Sequence, residues 1–236
     1  QAAENQDAAS PGKAAKTAPS DRFLHRLPPT WQPPQCPGGL SVTSSREPEP
    51  DEENVVFDWA GEAVRCAGTC VHGWLLTIAG QGLTSWDLSR VRRLRPVFAR
   101  QLTQLGVRDT DVEQVADLVQ EALENALSED LGRWILASRP EAANEYALSG
   151  LMQGKIATVV MDRTFVDQSG VRWIIDYKTS RHEGTDVAGF LDREQARYQG
   201  QMASYARLMQ AVDNRPVRLG LYFPLLSGWR EWAFRP

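Results

Sequence analysis

In "FDWAGEAVRCAGTCVHGWLLTIAG", residues 57–80, the apolar side chains Ala67, Cys70, Val71, Trp74, Leu75 and Ile78 recur at three and four residues, the spacing of an amphipathic helix. A second helix is expected from Asp87 to Leu105, bent or started by Pro96. A third, "DTDVEQVADLVQEALENAL", opens on a cap at Asp109 or Thr110 and buries Val112, Val115, Val119, Leu123 and Ala126. After the short helical piece "SEDLGRWILAS" the pattern changes. "NEYALSGLM", "KIATVVMDRTFVD" and "VRWIIDYKTS" read as strands, with "DQSG" at 167–170 as the turn between the last two. "DREQARYQGQMASYARLMQAV" returns to helix, and "PVRLGLYFPL" with "GWREWAF" closes the chain as a strand pair around Ser227-Gly228. The expected fold class is α/β, a mixed central sheet flanked by helices.

Composition divides the 236 residues in two. Residues 1–56 are rich in Ala, Pro, Ser, Gln and charge, which cannot bury enough surface to offset ordering. They are expected to be a linker or arm, partly disordered, with Trp31 and its prolines as a strap; residues 57–236 form the folded domain. The formal net charge of −4 belongs to the arm. Residues 1–60 carry nine acidic and five basic groups, leaving 21 of each in 61–236. Within that neutral remainder "RVRRLRPVFAR" is locally basic, either a phosphate-tracking face that includes Arg93 or a solvated helix face. No run approaches the roughly 18 apolar residues of a membrane span, and the first residues lack the regions of a signal peptide. A soluble, cytoplasmic protein with no membrane partner is expected. Cys36, Cys66 and Cys70 make no metal-ligand framework, and the last two fall four apart in a helical pattern, which points to packing. The chain starts on Gln, so it reads as a piece of something longer.

The chemistry concentrates in "WIIDYKTS". Asp176 and Lys178 share a face because strand side chains alternate with a period of two. The preceding strand brings Asp162 toward the same end of the sheet. Close carboxylates repel, and a hard divalent cation such as Mg²⁺ makes their approach worthwhile, with Lys178 beside it to orient a water or offset charge on a phosphate oxygen. The plainer reading is a surface Asp–Lys pair of little energetic weight. Residues 61–236 contain 19 Arg but only two Lys, at 155 and 178, so a position needing only positive charge would more often carry Arg.

Taken together, "MDRTF", "WIIDYKTS" and "YQGQMASYA", preceded by "GTCVHGWLL", resemble the RecB/AddA-type nuclease domain of the PD-(D/E)XK superfamily, found at the C-terminus of UvrD-like bacterial helicase–nucleases. The resemblance spans roughly residues 58–225. It implies a restriction-endonuclease-like core in which His72, Asp162, Asp176 and the Tyr177 carbonyl hold Mg²⁺ or Mn²⁺, and Asp162, Asp176, Lys178, Gln201 and Tyr205 are catalytic. Tyr198 and Gln199 are alternative positions for the helix motif. Arg163, Thr179, Arg93 and Glu145 are implied DNA contacts, with Glu145 also implied either to support the metal ligands or to hold a second metal ion. Gly154, eight residues before Asp162, is a loose match to the glycine of the family pattern. No cysteine set matches the iron–sulphur cluster of some relatives, so none is expected, and no Walker A sequence is present.

The function so implied is a Mg/Mn-dependent deoxyribonuclease, exonuclease favoured over endonuclease, acting on DNA single strands or duplex ends in double-strand break repair. A helicase motor in the same chain and an AddB/RecC-like subunit are the implied partners. The alternative is a catalytically silent nuclease-like domain used for DNA binding or protein docking.

Overall fold

The computed structural model describes residues 42–44, 59–152, 154–182 and 184–235, all within a unit spanning 39–236. The expectations for Trp31 and Cys36, and for the arm apart from 42–44, lie outside the described residues. In chain order the elements are β1 (Val42–Ser44), α1 (Trp59–Gln81), α2 (Leu88–Gln104), α3 (Asp109–Ser128), α4 (Asp130–Leu136), β2 (Ala143–Met152), β3 (Lys155–Val166), β4 (Arg172–Tyr177), α5 (Val187–Gln210), β5 (Val217–Phe223) and β6 (Gly228–Ala233).

The helix boundaries follow local chemistry. Asp87 caps α2 by accepting the Arg90 N–H at 2.6 Å. Pro96 leaves α2 unbroken and lies on its exposed side. At α3 the expected cap differs: Arg108 is the cap residue without a side-chain capping bond, and Asp109 and Asp111 lie in the first turn, where the helix dipole favours negative charge. Helix α5 begins five residues before the expected Asp192, because Asp186 accepts the Gly189 N–H at 2.8 Å and starts the helix inside a stretch that reads as loop.

The strands form one mixed sheet in the order β2-β3-β4-β5-β6, antiparallel except for the parallel pair β4–β5. Strand β1 runs parallel to Ile156–Thr158 of β3. Helices α1 to α4 cover one face, packing on Phe165, Trp173, Ile175 and Tyr177. Helix α5 covers the other, packing on Met161, Ile174, Leu219, Leu221 and Phe223. Strand β4 is buried on both faces, with the apolar run Trp173-Ile174-Ile175 at its centre and the charged Arg172 and Asp176 buried on either side of it. Each fully buried core residue such as Leu75, Ile78, Phe98 or Leu123 contributes about 1.5–3 kcal/mol over an exposed one. Parallel β4 and β5 need a crossover, and α5 supplies it. It therefore runs back along β4, which brings its first half to the C-terminal end of that strand.

Candidate functional site

Strands β3 and β4 pair from Val166↔Arg172 to Arg163↔Ile175, and there the ladder stops. One further step would set Asp162 opposite Asp176. Carboxylates facing each other across a strand pair repel, and Asp162 instead turns Oδ2 to the Tyr177 N–H at 2.8 Å. The backbone departs from regular strand on the other side too: Glu145 of β2, level with Asp162, has φ of 44°, a left-handed conformation costly for a residue with a Cβ. Strand β3 also switches faces here. Met161 packs toward α5, whereas Arg163 and Phe165 both turn to the α1–α4 side. A strand residue's N–H and C=O point the same way, so the Tyr177 carbonyl opens into the gap that β3 leaves.

Two faces of the sheet deliver side chains to this gap. From α1, His72 brings Nδ1 to 3.5 Å from Asp162 Oδ2 and sets its ring edge-to-face on Tyr177, centroids 5.7 Å apart. Helix α1 can come this close because position 68 is glycine: a Cβ there would lie 2.8 Å from Thr179 Oγ1. From the α5 side come Asp176 and Lys178, 6% and 9% exposed, with Nζ 3.1 Å from Asp176 Oδ2. The ammonium also lies 3.5 Å from the centroid of the Tyr198 ring. Asp176 Oδ2 is buried with the Lys178 ammonium as its ion-pair partner, and no other described group donates to it.

The electrostatics follow from this crowding. Burial drives the Asp176 carboxyl up to about 6, with Lys178 opposing and the Asp162 charge reinforcing. Burial also acts to raise Asp162, but His72, the Tyr177 amide and Lys178 outweigh it and hold Asp162 below the usual carboxylate range. Burial acts to depress His72, yet the neighbouring Asp162, with Asp176, outweighs it and the imidazole is raised. Two carboxylates, an imidazole and a backbone carbonyl are a donor set suited to a hard divalent cation, and buried Asp176 Oδ2, which takes no described donor besides the Lys178 ammonium, is an atom such a cation would satisfy. Asp162 is turned to the Tyr177 amide and Asp176 to Lys178, so among the described residues no three His, Cys, Asp or Glu side chains close on one point.

Other expected site residues fall elsewhere. Gln201 donates to Tyr205 Oη at 2.8 Å, farther along α5 than Tyr198, whose ring faces Lys178. Gln199 is exposed. Arg163 is corrected as a DNA contact. It is 2% exposed and its guanidinium donates to Ile135 O at 3.0 Å, Asn144 Oδ1 at 2.8 Å and Ala137 O at 2.7 Å, because the face switch turns it under the helices. In the basic stretch Arg92 pairs with Glu124, Arg95 with Glu113 and Asp117, and Arg90 lies over the Trp86 ring at 3.9 Å. Arg93 and Arg100 are exposed, with no ion pair to another described residue. Thr179 lies against α1, and Glu145 is exposed at the rim.

One residue went unread in the sequence. Glu194 is 7% exposed, with Oε2 buried and unbonded and Arg197 3.7 Å from Oε1. Its signal was legible: Glu194, Tyr198, Met202 and Ala206 form an i, i+4 stripe on the buried face of α5, with an acid where an apolar residue is expected. A family model described as the PD-(D/E)XK nuclease superfamily matches residues 57–228. No curated protein matches the chain.

Proposed function

The chain belongs to the PD-(D/E)XK nuclease superfamily, and from that membership we propose that it is a metal-dependent deoxyribonuclease, the nuclease domain of a RecB/AddA-like helicase–nuclease that processes DNA ends in double-strand break repair. In this reading residues 1–56 are the linker from a helicase motor and 57–236 the nuclease domain. Its partners are DNA single strands or duplex ends and an AddB/RecC-like subunit, its setting the cytoplasm, and exonuclease action is favoured. The observation that carries the reading is the pair Asp162 and Asp176, level with each other where the β3–β4 ladder ends, the second buried and ion-paired with Lys178.

Mg²⁺ or Mn²⁺ would be held by His72, Asp162, Asp176 and the Tyr177 carbonyl. Such an ion polarises a phosphate and lowers the pKa of a bound water. The chain's own groups do the rest. The Tyr177 amide fixes the orientation of Asp162, and His72 braces that carboxylate from the α1 side. Lys178 orients the attacking water for in-line displacement and offsets charge on the scissile phosphate. Thr179 and the exposed Arg93 and Arg100 meet the strand backbone. The Gln201–Tyr205 pair stiffens α5 behind the site, and Glu145 flanks it.

The test is cleavage of end-labelled single-stranded DNA with Mg²⁺, Mn²⁺ or EDTA. Asp176→Ala is expected to lose both cation binding and cleavage, and Lys178→Ala to keep cation binding but lose cleavage. Undiminished cutting by Asp176→Ala would sink the assignment. Retained DNA binding with no cutting under either metal would instead favour the silent docking domain.

A further inference from the structure

We propose that Tyr198 is a positioning residue for Lys178, its ring face holding the ammonium at the height of the Asp162–Asp176 gap. The inference rests on the nuclease reading above, and it concerns how a flexible side chain is kept in one place. A lysine stem has four rotatable bonds and loses much freedom when fixed. Lys178 also stands one residue past β4, anchored there by its own N–H to Tyr222 O at 2.8 Å.

The ring supplies what the backbone does not. Nζ lies 3.5 Å from the Tyr198 centroid, well inside the roughly 6 Å range of a cation–π contact, and the ring is 5% exposed. Its position is set by the crossover: α5 runs back along β4, and Tyr198 stands on its buried stripe between Glu194 and Met202, packed in the same core as Ile174 and Met161. A face-on ring attracts the ammonium without claiming a carboxylate lone pair. Nζ can therefore pair with Asp176 Oδ2 at 3.1 Å and still leave that carboxylate with lone pairs that no other described group claims. A carboxylate in place of the ring would compete with Asp176 for the same charge. The preference for Lys over Arg also follows, because a planar guanidinium would lie flat on the ring instead of pointing past it.

The test reads the contact and its consequence separately. The full chain has four lysines, so labelling with lysine ¹³C at the ε carbon gives a simple spectrum, and Lys178→Arg assigns the Lys178 signal. The Lys178 ε-methylene protons are expected upfield of the other three, to stay there in Tyr198→Phe, and to move to the ordinary position in Tyr198→Leu. For cleavage, Tyr198→Phe should stay within about twofold of wild type, while Tyr198→Leu loses about 100-fold in kcat, with KM for DNA and Mn²⁺ binding unchanged. Tyr198→Met, which keeps bulk without a ring face, runs beside it, and preserved Mn²⁺ binding marks a folded variant. Wild-type kcat in a folded Leu or Met variant, equal loss in Phe and Leu, or no upfield signal in wild type would each overturn the positioning role alone. An inert wild type sinks the nuclease reading and the positioning role with it.

Discussion

A carboxyl group taken out of water holds its proton more tightly, and burial raises Asp176 to about 6, from an ordinary 3.8, although Lys178 opposes the shift. The folded chain therefore binds more protons than the unfolded chain across that interval, so stability falls as pH rises from about 4 through about 6. His72, also raised, adds stability that is full below its unfolded value and lost as pH climbs through its folded one. A cation held by these groups displaces both protons. Added Mn²⁺ should thus raise Tm clearly at pH 8 and little at pH 5, and Asp176→Asn should flatten the difference. Equal Mn²⁺ effects at both pH values in thermal melts would contradict the site. At this scale strand alternation brought Asp162, Asp176 and Lys178 toward one end of the sheet, where the structure groups them, while His72 was singled out by the family resemblance alone. Arg163 was not legible. A period-two pattern assumes unbroken pleating, and β3 changes face between Met161 and Arg163.

Elements set the distances between those residues. Helix α1 touches the loop after β4 at Gly68, where an added Cβ would lie 2.8 Å from Thr179 Oγ1. Gly68→Ala should lift α1 locally and draw His72 away from Asp162. Alanine also favours a helix over glycine by about 0.8–1 kcal/mol, which offsets the packing cost. The expected outcome is nearly unchanged Tm with cleavage down about tenfold, measured by melts and steady-state kinetics; unchanged kcat would show that α1 tolerates the shift. Apolar periodicity located the helices and strands of the domain, since each hides one face or both. It missed the starts of α3 and α5, where charge in the first turn and the Asp186 side chain decide the boundary. It also could not show that Tyr198, twenty residues after Lys178, returns to it, because the crossover geometry fixes that meeting.

On the scale of the whole molecule, charge is distributed by use. Arg92 and Arg95 tie α2 to α3, and Arg172 and Arg215 tie Glu141 and Asp213 together at the other end of the sheet. Arg93 and Arg100 remain exposed on α2. If they meet phosphates, Arg93→Ala should weaken DNA binding and reduce the slope of log affinity against log salt by about 0.9. Arg92→Ala should change stability more than the slope. Fluorescence anisotropy over a salt series separates the two, and an unaltered slope in Arg93→Ala would remove α2 from the DNA face. The sequence showed the basic stretch but not its partners, which lie on a different helix.

The bond from the Tyr177 N–H to Asp162 gives the molecule a built-in isotope clock. Lys178 has its amide hydrogen guarded by a backbone carbonyl, whereas that of Tyr177 is guarded by a side-chain oxygen. Whatever claims that oxygen, whether a proton or a cation, also unlocks the amide behind it. Deuterium uptake at this single peptide group would then record occupancy of the gap, with no substrate turned over.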